Sequence, residues 1–336
     1  MGIEIKLFDR SVVKRALPLN LAQEHVLNFE KDYERKIPKS SLWLIKKVLV
    51  TKEAVVFKYF RLDRRSLTSP RISIEFGPKY RLRNLFLSSK RLKKQKINFC
   101  FNSWYPGYFH WMTECLPRFY IAKNKSSYEC FFIPEFLENY HRESLRALGL
   151  EENQMISLNK TYKINDLAII ERLAPSGNYN DAIMRELSGH IKSNAGLKQT
   201  QPFRKIYVSR SKAKIRKVLN EGDVIKEMHL LGFEVIYLED FSFQEQVKLF
   251  SETEVFISIH GGGLTNMMFM QPKSKVLEIR KEGDKMNLCY YSLANTYSLD
   301  YYYLFGKPND PNQSVQGADL HVSTSELVRI IKTYNL

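Results

Sequence analysis

The spacing of apolar positions changes along this chain, and each change predicts a different kind of element. In the first hundred residues, short runs rich in Val, Ile, Phe and Leu over 41–50, 54–60 and 71–76 are separated by turn residues, which predicts strands and loops. From residue 97 an apolar, aromatic segment leads through Gly107 into a helical pattern over about 110–122. A short strand over 128–133 follows, then a helix over 142–149 closed by glycine, a buried strand over 167–170 and an amphipathic helix over 181–195. The polar stretch 196–204, with Pro202, reads as a linker.

Beyond the linker the alternation is regular. A strand over 205–209 precedes a helix capped by Asn220, with Asp223 in its first turn, Val224, Ile225, Met228 and Leu231 on its apolar face, and Gly232 at its end. A strand over 233–238, a helix from a Ser242 cap to 250, a strand over 255–259, a helix from about 264 and a strand over 276–279 complete the series. Parallel neighbours need crossovers and helices must cover both faces of their sheet, so this half is expected to be a doubly wound α/β, Rossmann-like lobe. Ser323 and Glu326 carry a capping-box signature ahead of Leu327, Val328, Ile330, Ile331 and Tyr334, which predicts a final helix docking back through one apolar face. The expected division is an N-terminal lobe over 1–200, in which 1–96 is basic and β-rich and 97–200 Rossmann-like, a second lobe over 201–320, and the helix 321–336.

Length and composition leave this picture intact and add a location. A chain of 336 residues with 44% hydrophobic content can bury a core in two domains. No stretch approaches about 20 uncharged apolar residues, and the N-terminus builds no signal-peptide core, so a cytoplasmic protein is expected. Cys100, Cys115, Cys130 and Cys289 form no Cys-x-x-Cys pair and no zinc spacing, which suits a reducing compartment. The net charge of +16 is lopsided: the first hundred residues carry 24 Lys and Arg against 9 Asp and Glu, the remainder 28 against 27. The densest run is Lys79, Arg81, Arg83, Lys90, Arg91, Lys93, Lys94 and Lys96. Such a face attracts phosphates, acidic polysaccharide or an anionic leaflet; equally, it is what a solvated surface without a partner looks like. Nucleic acid is the poorer partner, since no reader motif appears.

Two constellations could carry chemistry. In an open parallel sheet, ligands bind beyond the carboxyl ends of the strands, and His260-Gly261-Gly262-Gly263 follows such a strand. Glycines let an anion approach backbone N–H groups and the next helix offers its positive end, with Thr265 and Asn266 as further donors. Ser209-Arg210-Ser211 follows another strand of the same lobe; Arg210 and Arg216 suit phosphate, or form a solvated basic loop. Glu278 could accept from ribose hydroxyls or be an exposed strand-end charge. An esterase is excluded because no Gly-x-Ser-x-Gly elbow accompanies the His-Gly-Gly-Gly string. A dinucleotide dehydrogenase lacks its third glycine spacing, and no Asp-x-Asp is present to hold a divalent metal. The second constellation is Gly107 to Arg118, where His110 and Glu114 share one helical face with Trp111 and Arg118 nearby. A carboxylate beside an imidazole could deprotonate an acceptor hydroxyl, or simply satisfy a packed histidine.

In these two places the sequence resembles glycosyltransferase family 61, whose members pair Tyr-Phe-His-Trp, an acidic residue and Leu-Pro-Arg with a later His-Gly-Ala-Gly-Leu-Thr-Asn. The matching strings are Tyr108–Arg118 and His260–Asn266, and 205–210 and 241–250 extend the likeness over about 97–280. Gly262 stands where alanine is usual and Gly107 where asparagine is usual. The resemblance implies two Rossmann-like lobes of the GT-B type and an inverting, metal-independent mechanism without a cofactor. It implies a nucleotide-sugar donor, expected to be a UDP-sugar, held by the second lobe. On that basis Gly261, Gly262, Gly263, Leu264 and Thr265 cradle the diphosphate, with Ser209, Arg216, His260, Asn266 and Glu278 around them, and Arg210 neutralises the leaving nucleotide. Glu114 is the expected general base, His110 orients substrate or shares the proton, and Trp111 and Arg118 lie on the acceptor side. The absence of a leader resembles the bacterial branch that builds capsule or other surface polysaccharide, with a glycan or lipid-linked acceptor and residues 79–96 facing an anionic inner membrane. The rival expectation is a non-catalytic binder of polyanions or acidic glycans that keeps a relic Rossmann lobe.

Overall fold

The computed structural model describes residues 2–58, 61–67, 80, 90–92, 96–198, 200–285, 287–310 and 312–336. The strand expected over 71–76, and most of the basic run 79–96 with its membrane-facing role, lie outside these residues. The chain forms two compact units, one of residues 1–11 and 36–176, the other of residues 12–35 and 177–336. The division therefore falls before the helix Asp181–Asn194 rather than at the polar stretch 196–204, and the second unit also recruits an early segment. Among the described residues no helix is long and apolar enough to cross a membrane.

The first unit is built on a mixed sheet. Its strands run, side by side, Met155–Ser157, Cys130–Ile133, Lys96–Phe99, Tyr162–Ile170, Ser40–Val50, Val56–Lys58 and Arg61–Leu62. The first four are parallel, and from Tyr162–Ile170 onward the neighbours are antiparallel. Building outward from Lys96–Phe99, the next two strands are added on one side, whereas Tyr162–Ile170 is placed on the other. A reversal of that kind opens a crevice at the carboxyl ends of the two central strands. The helices Tyr108–His110, continued to Lys125, and Asn139–Ala147 cover this part of the sheet.

In the second unit the order is Glu234–Ile236, Arg204–Val208, Thr253–Ile259, Lys275–Lys281 and Asp300–Pro308, all parallel, closed by the antiparallel Leu320–His321. It is the doubly wound sheet that the alternation predicted. Here too the order reverses, between Arg204–Val208 and Thr253–Ile259. The central strands are apolar on both faces because helices cover both. Val255, Ile257, Ile259, Leu277 and Ile279 meet Val224 and Met228 on one side, joined by Leu327, Ile330 and Ile331 of the terminal helix Thr324–Thr333. Asn220 stands at the expected helix start, but its side chain makes no cap. Its Nδ2 donates to the Val322 carbonyl (2.9 Å) and its Oδ1 accepts from the Val322 N–H (2.9 Å), pinning the C-terminal segment instead.

Periodicity did not reveal the return of residues 12–35 to this unit. Leu19 N–H donates to the Tyr301 carbonyl (2.9 Å) and the Asn20 amide exchanges two hydrogen bonds with the Tyr303 backbone (2.7 and 3.1 Å). They occupy main-chain groups of the last parallel strand that would otherwise template pairing with another chain. The helix Val26–Tyr33, unforeseen in a stretch read as strands and loops, buries Phe29 completely among Tyr291, Tyr301 and Tyr303.

Candidate active site

At the carboxyl end of Lys96–Phe99 the chain turns at Asn102 and enters the helix at Tyr108. Pro117 has no N–H to offer the Thr113 carbonyl, and over Trp111–Cys115 the helix widens by one residue, Leu116 N–H donating to the Trp111 carbonyl. The Arg118 Nε–H donates to the Glu114 carbonyl within this irregular turn (2.8 Å), and Arg118 is otherwise buried with Nη2 near Cys115 Sγ. The expected acceptor-side role of Arg118 is replaced by that of an internal brace. Trp111 is corrected in the same way: it is fully buried, its indole N–H donating to Ser144 Oγ (2.8 Å).

His110 and Glu114 do meet. The His110 Nδ1–H donates to Glu114 Oε1 at 2.9 Å, and Ser176 Oγ–H donates to the same oxygen at 2.5 Å. Arg172 Nη2 lies 3.9 Å from Glu114 Oε2. Burial disfavours charge on this carboxyl, but the His110 hydrogen bond and charge, Ser176 and Arg172 outweigh it and hold Glu114 below the usual carboxylate range. An ionised carboxylate can only accept, so His110 carries a proton on Nδ1, and in the neutral ring the lone pair is then on Nε2. Exposure separates the two roles further, since the Glu114 side chain is 8% exposed and that of His110 31%. His110 is thus the more exposed of the two, with Glu114 behind it. Arg172 and Ser176, which follow the strand Tyr162–Ile170, were missed because nothing local marks them; their one signal is their place just past a buried strand.

At the crevice of the second unit, Arg210 and Arg216 follow Arg204–Val208 and Gly261 follows Thr253–Ile259. The Arg210 guanidinium lies flat on Gly261, and a Cβ there would stand 2.6 Å from its Nη1 and 2.8 Å from its Cζ. Gly261 thus makes room for an arginine, where the sequence suggested room for an anion. Arg210 is held by the backbone carbonyls of Arg216 and Ile215 (3.3 and 3.4 Å). Burial and then the neighbouring Arg216 weaken its hold on its proton, against a smaller pull from Tyr290 and Glu239. Two half-buried arginines whose charges act on one another are a poor arrangement alone and a good one around an anion with two negative groups. Gly263 has a separate reason: its added Cβ would meet Leu238 Cδ1 at 2.9 Å, so it permits the turn to pack on its neighbour.

Other residues expected at the donor turn point inward. The turn continues as a 3₁₀-helix, Gly262–Phe269, in which Leu264, Thr265 and Asn266 are fully buried. Asn266 Nδ2 donates to Gln246 Oε1 (2.9 Å), and Ser209 is buried with its hydroxyl directed to Ser211. Glu278 is neither an exposed charge nor open to a ribose. It is fully buried, accepts from His260 Nδ1–H on one oxygen, and from Tyr301 O–H (2.5 Å) and Arg280 (3.4 Å) on the other. Asn287 Nδ2 donates to His260 Nε2 (2.9 Å), and Arg280 continues to Asp284 (2.9 Å). Glu278 thus fixes the imidazole that opens the glycine turn. Burial opposes its ionisation, yet Arg280, His260 and Tyr301 outweigh burial and hold it below the usual range.

A depressed folded-state pKa contributes stability that is present above the unfolded value and lost as pH falls through the folded one. Glu278→Gln leaves Arg280 under-compensated and is expected to cost roughly 3–5 kcal/mol near neutrality. Urea denaturation at several pH values checks it: the variant also loses the part of the acid sensitivity that begins below about pH 4.3.

Residues 108–277, half of the chain, match the family described as Glycosyltransferase 61, and the chain belongs to that family. Over 135 residues it is 27% identical to the EGF domain-specific O-linked N-acetylglucosamine transferase of Bos taurus, which covers 38% of this chain and 25% of that protein. The rat protein of the same name is 27% identical over 143 residues, 40% of this chain and 26% of the relative. The Xenopus laevis protein is 21% identical over 131 residues, 37% and 25% respectively. The chain spans about a quarter of the length of these relatives.

Proposed function

We propose that this chain is an inverting glycosyltransferase of the GT-B type, moving a sugar from a nucleotide-sugar to a glycan or lipid-linked acceptor without a divalent metal. Family membership supports the reaction class, and the relatives' names identify them as sugar transferases. The observation that carries the donor assignment is the Arg210 guanidinium against Gly261, with Arg216 near enough to act on its charge, at the strand-order reversal of a parallel sheet. In this reading the held Arg210 guanidinium, with Arg216 nearby, supplies the charge that a metal supplies elsewhere.

In the proposed step the acceptor hydroxyl gives its proton to His110 Nε2 while its oxygen forms a bond to the anomeric carbon. The bond from that carbon to the phosphate oxygen breaks on the opposite face, and the nucleoside diphosphate departs with the electron pair. Glu114 holds the imidazole in the reactive tautomer and stabilises the imidazolium that forms; Ser176 holds Glu114. A bacterial surface polysaccharide as the product, a UDP-sugar as donor and work at the cytoplasmic face of a membrane complete the reading.

Turnover of UDP-, GDP-, CMP- and TDP-linked sugars in excess EDTA tests it. Release of the free nucleotide from one of them, undiminished by the chelator, is expected. A strict requirement for added metal overturns the mechanism, and no turnover of any donor overturns the enzyme assignment.

A further inference from the structure

Beside the candidate base stands an aromatic side chain that neither the motif nor the proposed mechanism uses. Trp104 lies in the turn between Lys96–Phe99 and the helix at Tyr108, half-buried, with its ring centroid 4.7 Å from that of His110 and the planes tilted by 45°. The turn is rigidly built. Asn102 Oδ1 accepts from the Trp104 N–H (3.0 Å), the Asn102 carbonyl from Tyr105 N–H (3.1 Å), and the Trp104 carbonyl from Gly107 N–H (3.1 Å). Outer ties come from the helix Asn139–Ala147, where Tyr140 O–H donates to the Pro106 carbonyl (2.9 Å) and His141 Nε2–H to the Tyr105 carbonyl (3.0 Å). The hydrogen bonds that hold Trp104 run through its backbone, and among the described residues the only ring that its indole packs on is that of His110.

We propose that Trp104 is the platform for an acceptor sugar ring, and hence that the hydroxyl glycosylated belongs to a pyranose rather than to a serine or threonine side chain. This rests on His110 being the base. An indole offers a flat, polarisable face with negative π density, which suits the C–H face of a pyranose and has no matching partner on a short hydroxyl side chain. At that centroid separation the tilted indole and imidazole rings are in direct contact, side by side. A pyranose lying on the part of the indole that the imidazole does not cover borders His110, so recognition and proton removal share one wall of the site. The preformed turn also lowers the entropy lost on binding.

Binding is tested on the full chain without any donor. Methyl β-D-glucopyranoside, methyl β-D-galactopyranoside and methyl β-D-xylopyranoside are titrated by saturation-transfer NMR and tryptophan fluorescence, alongside a serine- and threonine-containing hexapeptide. Of the three tryptophans, Trp111 is fully buried and Trp43 lies under the Arg65 guanidinium at 4.3 Å, and an emission change that W104A abolishes reports Trp104. At least one pyranoside is expected to bind, W104A to weaken it by roughly tenfold or more, and W104F to retain most of the affinity. W104A keeps the backbone ties and should melt with the wild type. The proposal is overturned if no pyranoside binds, if W104A binds the sugar as the wild type does, or if only the peptide binds at Trp104. Since no nucleotide is present, failure of donor turnover in the EDTA assay leaves this result separately readable.

Discussion

His110→Ala is expected to lower sugar transfer by roughly 10²–10⁴-fold while leaving nucleotide affinity unchanged, because it removes the more exposed member of the pair, the base of the proposed step. Glu114 has the more acidic group and the poorer access: Oε1 is taken by His110 and Ser176, and its side chain is almost covered. A carboxylate held below its ordinary range is a weak proton acceptor, whereas a neutral imidazole with a carboxylate behind it is a strong one. Added imidazole should restore part of the rate to His110→Ala, entering the space vacated in a partly exposed site. The same additive should do nothing for Glu114→Gln, in which the ring remains but its orienting charge is gone. Steady-state kinetics with and without imidazole decide the matter; rescue of neither variant together with an intact rate in His110→Ala would return the base to Glu114.

Gly261→Ala should act as an arginine variant does, although it deletes no charge. The new methyl would sit where the Arg210 guanidinium now rests, and only the guanidinium can move, since it is the far end of a flexible side chain. Loss of a preorganised donor at developing negative charge typically costs roughly 10²–10³ in kcat, and Gly261→Ala and Arg210→Ala should both fall in that range. Arg210→Lys should not recover the rate, because an ammonium lacks the planar fork that grips two phosphate oxygens. Gly263→Ala makes the contrast. Its methyl meets Leu238, so it should cost on the order of 1 kcal/mol of stability and spare catalysis. Calorimetric titration with UDP and thermal melting separate the two glycines; equal melting losses with equal kinetics would show that Gly261 only packs.

What could be read from residue order was what depends on near neighbours in the chain. The 3.6-residue spacing places His110 and Glu114 on one face, the regular alternation after residue 205 demands a parallel sheet, and Ser242 caps its helix with the Glu245 backbone N–H as partner. The glycine turn and the arginine after the first strand of that series were also visible, because strand ends are where such a sheet binds ligands.

Everything that depends on distance through space was decided by the tertiary structure. Strands buried on both faces look alike, so nothing in their sequence orders them. The two reversals, which place Arg172 and Ser176 beside Glu114 and Arg210 over Gly261, arise only when the sheets assemble. Burial had the same source: Trp111 and Trp104 stand seven residues apart in one aromatic stretch, yet one fills the core and the other flanks His110. Which side of a helix meets the sheet is set by the widened turn at Trp111–Cys115 and by packing with Ser144, and both lie beyond what composition records. Glu278 makes the point energetically: a carboxylate on a strand looks solvent-facing until Arg280, His260 and Tyr301 gather around it and make its burial affordable.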